Sequence, residues 1–479
     1  MRSLSAAYSR PHSRSNVLQL AILTVNALIG LWLMTVGDSG LFASLMMFAA
    51  LQISGAMFAY VVASDKPRAV SFVLLVFYCY GFIMPGLYQL RADDYYWPSV
   101  ATDVATATIA SFIVFISVIF FAVGYFTSLK LSFGRPSISV ESGGSVWPQR
   151  RHAGSRWVIF AISCLALAYV VFLLGKFGPA MFFGTRYEIS QAIADAGLDR
   201  SSRGLTRTLS QALGLGSLAI AGYARFRIGV RGFLVTTAFF VALLANSIAN
   251  FPTSIPRYWL VATAFVLLFT VFYRVFVSAR RFIYVATPLM LFLVFPTLGS
   301  YNRRGSEVDL TFKVVNPADY MASGDLDGFQ SILNVVYMVS QEGISWGAHM
   351  MSVLLFFVPR SIWSGKTFSV GSEAADTVGY EFLTISMPFP GELYANGGFA
   401  AVILGMVAFG MLVRRMDSTF DEAADNRGGP YVATAAILLG AFMPILFRGS
   451  LLGSFAGFAS AIGLVVGWCY LSKVRLRLR

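Results

Sequence analysis

Apolar residues recur in long unbroken runs separated by short polar turns, and the run lengths predict helices that cross a bilayer. The runs cover residues 17–36, 41–63, 70–90, 104–128, 157–175, 208–224, 232–249, 258–273, 282–299, 396–413, 431–447 and 451–472. A helix rises about 1.5 Å per residue, so roughly 20 residues cross the hydrocarbon core. Backbone amides in lipid have no water to pair with, so each run is read as a helix. The pattern predicts an all-α polytopic membrane protein with about twelve transmembrane helices. Several runs are short or hold Pro288, Pro444, Gly453 or Gly457, which predicts tilted or broken helices. A further apolar stretch, Met350 to Val358, is too short to cross and ends at Pro359; it predicts a re-entrant or interfacial piece.

The polar intervals divide the chain unequally. Residues 1–299 form an N-terminal bundle, with an external loop at 176–207 and a Ser-, Gly-, Pro- and Arg-rich cytoplasmic linker at 129–156. Residues 300–395 form a long external loop, and 396–479 carry the C-terminal helices. The long loop holds Trp346, Trp363 and many Phe, the composition of a folded cap rather than of a disordered segment.

Charge then sets the orientation. Only 12% of residues are charged, where soluble domains run near a quarter. With the N-terminus inside, the inner segments collect 23 of the 36 Lys and Arg but 6 of the 23 Asp and Glu, a net of +17 inside against −4 outside. This is the positive-inside bias, with both termini cytoplasmic. The basic residues are scattered over membrane flanks, so the excess does not call for a nucleic-acid partner. Cys79, Cys164 and Cys469 all lie within apolar runs, with no metal or disulfide spacing.

Candidate chemistry lies on the external side. Arg186, Arg257, Arg303, Arg304, Arg360 and Arg448 sit at or near external span ends, against the positive-inside preference. Each alone reads as an interfacial anchor; together they read as a phosphate or pyrophosphate site. Two dense stretches stand out. Residues 357–366 offer Arg360, Lys366 and Trp363 around a Gly turn. Residues 390–398 offer Glu392 and Tyr394 at a span mouth. A Glu there is either a general base or an ion-pair partner that fixes the loop. Asp325 and Asp327 are rivals for the base. Asp93 and Asp94 sit beside Tyr95, Tyr96 and Trp97, aromatics that read as an interfacial belt. The first external loop is only Gly37 to Gly40, too short to carry an acidic metal site.

On these residues the chain resembles bacterial oligosaccharide repeat-unit polymerases of the Wzy type, which extend O-antigen, enterobacterial common antigen and exopolysaccharides. Pro-Arg-x-x-Trp-x-x-Lys at 359–366 looks like that family's external-loop motif, and Gly-Glu-x-Tyr at 391–394 like another. Arg257 and Arg448 fall where the family tends to place span-end arginines. Arg-x10-Gly, found in some members, fits Arg186 to Gly197 and Arg360 to Gly371, and also Arg203 to Gly214.

The resemblance implies a GT-C-like, metal-independent glycosyltransferase of the bacterial inner membrane with a periplasmic site and no cofactor. Its donor and acceptor would be undecaprenyl-pyrophosphate-linked glycans, with a polysaccharide co-polymerase as partner. It implies Glu392 and Arg360 as catalytic groups. Arg186, Arg257, Arg304, Arg360, Lys366 and Arg448 would hold pyrophosphate, and Tyr394 and Trp363 the sugar. An O-antigen ligase would use the same donor with an external His, here His349, which is followed by Met350 and Met351. A lipid-linked oligosaccharide flippase would place charge at mid-span, where these runs carry almost none. The orientation is directly testable: alkaline phosphatase fused after residue 341 should be active and after residue 65 inactive, and the reverse pattern would overturn it.

Overall fold

A computed structural model of the chain describes residues 12–98, 100–127, 152–184, 188–189, 200–252, 254–296, 315–383, 385–424 and 429–473. Arg186, Arg303, Arg304 and most of the 129–156 linker lie outside the described residues.

Among the described residues, all twelve apolar runs coincide with helices. In chain order these are α1 (His12–Met34), α2 (Leu41–Ala63), α3 (Ala69–Ala92), α4 (Val104–Phe126), α5 (His152–Phe177), α6 (Arg200–Gly222), α7 (Phe233–Ala249), α8 (Arg257–Thr270) and α9 (Tyr273–Leu293). The cap follows as α10 (Pro317–Met321), α11 (Gly328–Glu342), α12 (Ala348–Leu354) and α13 (Val370–Thr377). The chain then returns through α14 (Phe389–Ala424), α15 (Pro430–Arg448) and α16 (Leu451–Lys473).

Among the described residues, nine of these helices are long and apolar enough to cross a membrane: α1 to α5, α9 and α14 to α16. The other three differ for identifiable reasons. Helices α7 and α8 are apolar but have 17 and 14 residues, about 25 and 21 Å at helical rise. Helix α6 starts at Arg200, inside the expected 176–207 loop, because its first half is polar but amphipathic. The molecule is an all-helical polytopic membrane protein, and its first helix leaves Leu20, Leu28 and Leu31 uncovered, as lipid contact allows.

Side-chain bonds sort the helix ends into two groups. At one end Arg280 donates to the Asp65 and Ser64 carbonyls at 2.7 and 2.8 Å, and Tyr284 to the Pro67 carbonyl. The same end holds Asp417. This buried carboxylate accepts from the Val70 and Ser71 amides at 3.0 and 3.1 Å, capping the N-terminus of α3, and from the Tyr125 hydroxyl at 2.9 Å. At the other end Arg91 donates to the Ser39 carbonyl at 3.0 Å, and the Trp97 indole to Asp327 at 3.0 Å. The two groups fall on alternate turns of the chain.

Two helices depart from uniform α geometry. Residues 76–83 of α3 form a π-helical segment next to the cap. Helix α14 begins seven residues before the predicted run and breaks at Gly397 and Gly398. Gly398 has φ +61°, a conformation that strongly favours glycine. The short apolar piece predicted at 350–358 is helical only as α12 and turns from Leu355 onward.

Helices α4 and α14 approach so closely that side chains are excluded. A Cβ on Gly124 would lie 2.1 Å from the Val407 carbonyl oxygen, and one on Gly410 would lie 2.3 Å from that of Phe121. Gly410→Leu should therefore force the helices apart and lower stability by about 1–3 kcal/mol, read as a drop in thermal midpoint in detergent. An unchanged midpoint would mean that the helices are not in contact there.

Candidate functional site

The site is organised by the four-residue turn Arg448-Gly449-Ser450-Leu451 between α15 and α16. Two segments distant from it in sequence, 387–392 and 324–325, grip it. The Met387 amide donates to the Arg448 carbonyl at 3.0 Å. The Leu451 amide donates to Glu392 Oε1 at 2.8 Å. On the other side, Arg448 Nη2 donates to the Gly324 carbonyl at 3.2 Å and lies 3.9 Å from Asp325 Oδ1.

Asp325 joins the turn to α8. Arg257, the first residue of that helix, places Nη1 2.8 Å from Asp325 Oδ2 and 2.6 Å from the Phe295 carbonyl oxygen. Pro256 just before it ends the preceding turn and leaves the guanidinium at the helix mouth. Two arginines from separate helices thus converge on one carboxylate. Arg257 is 7% exposed and Arg448 28%, so Arg448 faces the opening. Tyr320 on α10 is buried beside them. Burial, reinforced by Asp325 and opposed by Arg257 and Arg448, pushes its phenol up to about 12, so at neutral pH it stays protonated.

Beneath this cluster lies a cavity of about 30 Å³. Asp325 and Arg448 form its polar wall. Phe77, Tyr78 and Phe82, from the π-helical segment, and Phe447 form its aromatic wall. The wider turn of a π-helix brings these rings to the cap side of α3, where Gly328 at the start of α11 packs directly against Phe82.

The predicted site residues separate into distinct environments. Arg257 and Arg448 come together with Asp325. Glu392 shares the turn with them, but it is 2% exposed and its described partner is a backbone amide, not an arginine. Asp327, the other rival base, is held by the Trp97 indole at 3.0 Å and the Ser386 hydroxyl at 2.5 Å.

Arg360 and Lys366 grip their own loop instead. Arg360 donates to the Lys366 carbonyl and, at 2.7 Å, to that of Thr367, with its guanidinium 3.9 Å from the Phe368 ring centroid. Lys366 Nζ donates to the carbonyls of Leu355, Phe356 and Val358 at 2.9–3.0 Å, closing the C-terminal end of α12. Burial, then the Arg360 charge, pushes its ammonium down from the ordinary lysine range. Three acceptors use its three donors, so a further anion would have to break this cage. Trp363 is part of the same loop, its amide donating to the Pro359 carbonyl at 3.0 Å. Tyr394 is buried, with its ring 5.3 Å from that of Phe399. Arg186 and Arg304 fall outside the described residues.

His349 belongs to neither group. It is buried on α12, with Nδ1 2.9 Å from Ser345 Oγ and Nε2 2.5 Å from Glu373 Oε2. Among the described residues no group of three or more His, Cys, Asp or Glu is placed to hold a metal ion.

The sequence puts Asp325 below Glu392 as a candidate and carries no signal for Tyr320 or the π-helical aromatics. The spacing of Asp325 and Asp327 gives no reason to separate them; only the fold shows which one meets arginine. No family model, no curated protein and no solved structure matches the chain. If Glu392 anchors α16 as described, Glu392→Ala should lower stability by about 1–2 kcal/mol in thermal unfolding, as loss of a helix cap does. Glu392→Gln keeps an acceptor and should cost much less, and equal losses would overturn the capping role.

Proposed function

We propose that this protein is a membrane glycosyltransferase of the Wzy type, which polymerises undecaprenyl-pyrophosphate-linked repeat units. In this reading twelve helices cross the bacterial inner membrane in a GT-C-like arrangement. Both termini are cytoplasmic and the cap is periplasmic. The observation that supports it is the convergence of Arg257 and Arg448, from separate helix ends, on Asp325 above an aromatic-walled cavity. Paired guanidinium groups are good ligands for a diphosphate.

The resemblance implies the reaction, and these groups would serve it. The hydroxyl at the non-reducing end of the acceptor attacks C1 of the donor glycan. The C1–O bond to undecaprenyl pyrophosphate breaks, and Arg257 and Arg448 stabilise the charge on the leaving pyrophosphate. A carboxylate takes the hydroxyl proton and later releases it to water. Asp325 lines the cavity beside Arg448, and we assign it that role. Glu392 then acts through the turn it holds, as a positioning residue. A separate co-polymerase would act on chain length.

The test uses purified protein in nanodiscs with its undecaprenyl-pyrophosphate repeat unit. Wild type should give a ladder of longer glycans and release undecaprenyl pyrophosphate. Arg448→Ala and Asp325→Asn should each lower the rate by roughly 10²-fold or more with the fold retained. Arg360→Ala should retain most activity, because that arginine braces its own loop. Movement of the lipid-linked unit across a vesicle membrane without a ladder would replace this reading with a flippase.

A further inference from the structure

The cap distributes its exposed apolar side chains unevenly. Among its described residues from 315 to 388, the large hydrophobic side chains that are exposed are Trp346, Met351, Leu354, Phe357, Ile362 and Phe368. All six fall between 346 and 368, and each is at least half exposed: Trp346 is 82%, Ile362 79% and Phe357 64%. The cap before and after this segment exposes polar residues such as Gln341, Glu342, Asp376 and Glu381. A water-washed cap has no reason to gather its apolar surface in one segment.

Three further observations identify what covers it. First, the segment lies at the level of a membrane-crossing helix. The ring of Phe356 sits 6.0 Å from that of Phe455, just over one turn into α16. Second, the sequence from 346 to 368 contains no Asp or Glu, and its two cations are Arg360 and Lys366. An acid-free, aromatic and basic segment suits the boundary between acyl chains and phosphate headgroups. Third, the segment is rigidly built. Lys366 ties the end of α12, Arg360 ties the loop, and Asn396 accepts from the Met350 amide at 3.1 Å. Trp346 is held at φ +49°, an unfavourable backbone state for an aromatic residue, and its side chain projects outward.

We propose that residues 346–368 insert their apolar side chains into the bilayer leaflet on the cap's side. The segment thereby fastens the cap to the membrane beside the turn that carries Arg448. The occupant of the apolar surface is lipid. This rests on the polytopic fold and not on the proposed glycosyl transfer, so it stands or falls separately.

Spin labels test it. Cysteines introduced as Phe357→Cys, Ile362→Cys and, for reference, Gln341→Cys would be labelled with a nitroxide in protein whose Cys79, Cys164 and Cys469 are replaced by Ala. The protein would be held in nanodiscs of phosphatidylethanolamine and phosphatidylglycerol. At 357 and 362, collision with oxygen should exceed collision with a water-soluble nickel chelate several-fold, and at 341 the order should reverse. Nickel dominating at 357 and 362 would make the segment water-facing and overturn the proposal. Suppression of both collisions, with dipolar broadening between labels, would also overturn it and assign the face to a second copy of the chain. A second measurement keeps the native cysteines. Brominated lipid should quench tryptophan fluorescence, and Trp346→Phe should remove part of that quenching. Quenching left unchanged by the substitution would count against insertion.

Discussion

The site depends on one buried hydrogen bond, from the first amide of a helix to a carboxyl oxygen. Glu392 receives the first amide of α16, where the helix macrodipole favours negative charge. That contact fixes the turn from Arg448 to Leu451, and the turn decides where Arg448 points. Asp325 and Arg257 complete the arrangement from the other side. Helix α14 repeats the device at its far end, where Asp417 caps α3 through the Val70 and Ser71 amides. One helix therefore clamps two neighbours, at opposite ends, with buried acids.

The consequence is a site whose charges are only partly balanced at rest. Two guanidinium groups face one carboxylate, leaving a net positive cluster above the aromatic cavity. Asp325 supplies the anion that Arg257 needs in a partly buried setting, because an unpaired charge there would be strongly destabilising. Arg448 is only loosely held by Asp325, at 3.9 Å, and is the more exposed of the two. It is therefore the arginine with spare donors for an incoming anion. The same logic runs in reverse at Lys366, whose donors are spent on three carbonyls.

The cap shows how one motif can be structural where its composition suggests chemistry. Arg360, Trp363 and Lys366 look like a binding stretch because cations, an aromatic and a Gly turn are close in sequence. In the fold they brace a loop that ends a two-turn helix on a membrane-facing ridge. Three lysine hydrogen bonds and a stacked guanidinium hold that ridge rigid where a longer helix would otherwise be needed.

Much of the fold was legible in the sequence because lipid imposes a single rule on backbone amides: an apolar run must be a helix. Hence each of the twelve runs is helical where the structure describes it, and alternate turns fall at opposite ends of the bundle. The exact helix limits were not legible where composition and geometry part. Helix α6 runs back into polar sequence, and α14 starts before its apolar run. The site was legible only in part. Arg257 and Arg448 could be singled out because they oppose the charge bias of the flanks, and Glu392 because a carboxylate at a span mouth needs a reason. Their roles were not legible, since a role depends on what sits opposite in space. Asp325 and Asp327 are two residues apart, yet one meets arginines and the other an indole and a hydroxyl. Hydrophobicity acts along the chain and can be read from it; partnership between charges acts across the fold, and only the tertiary structure decides it.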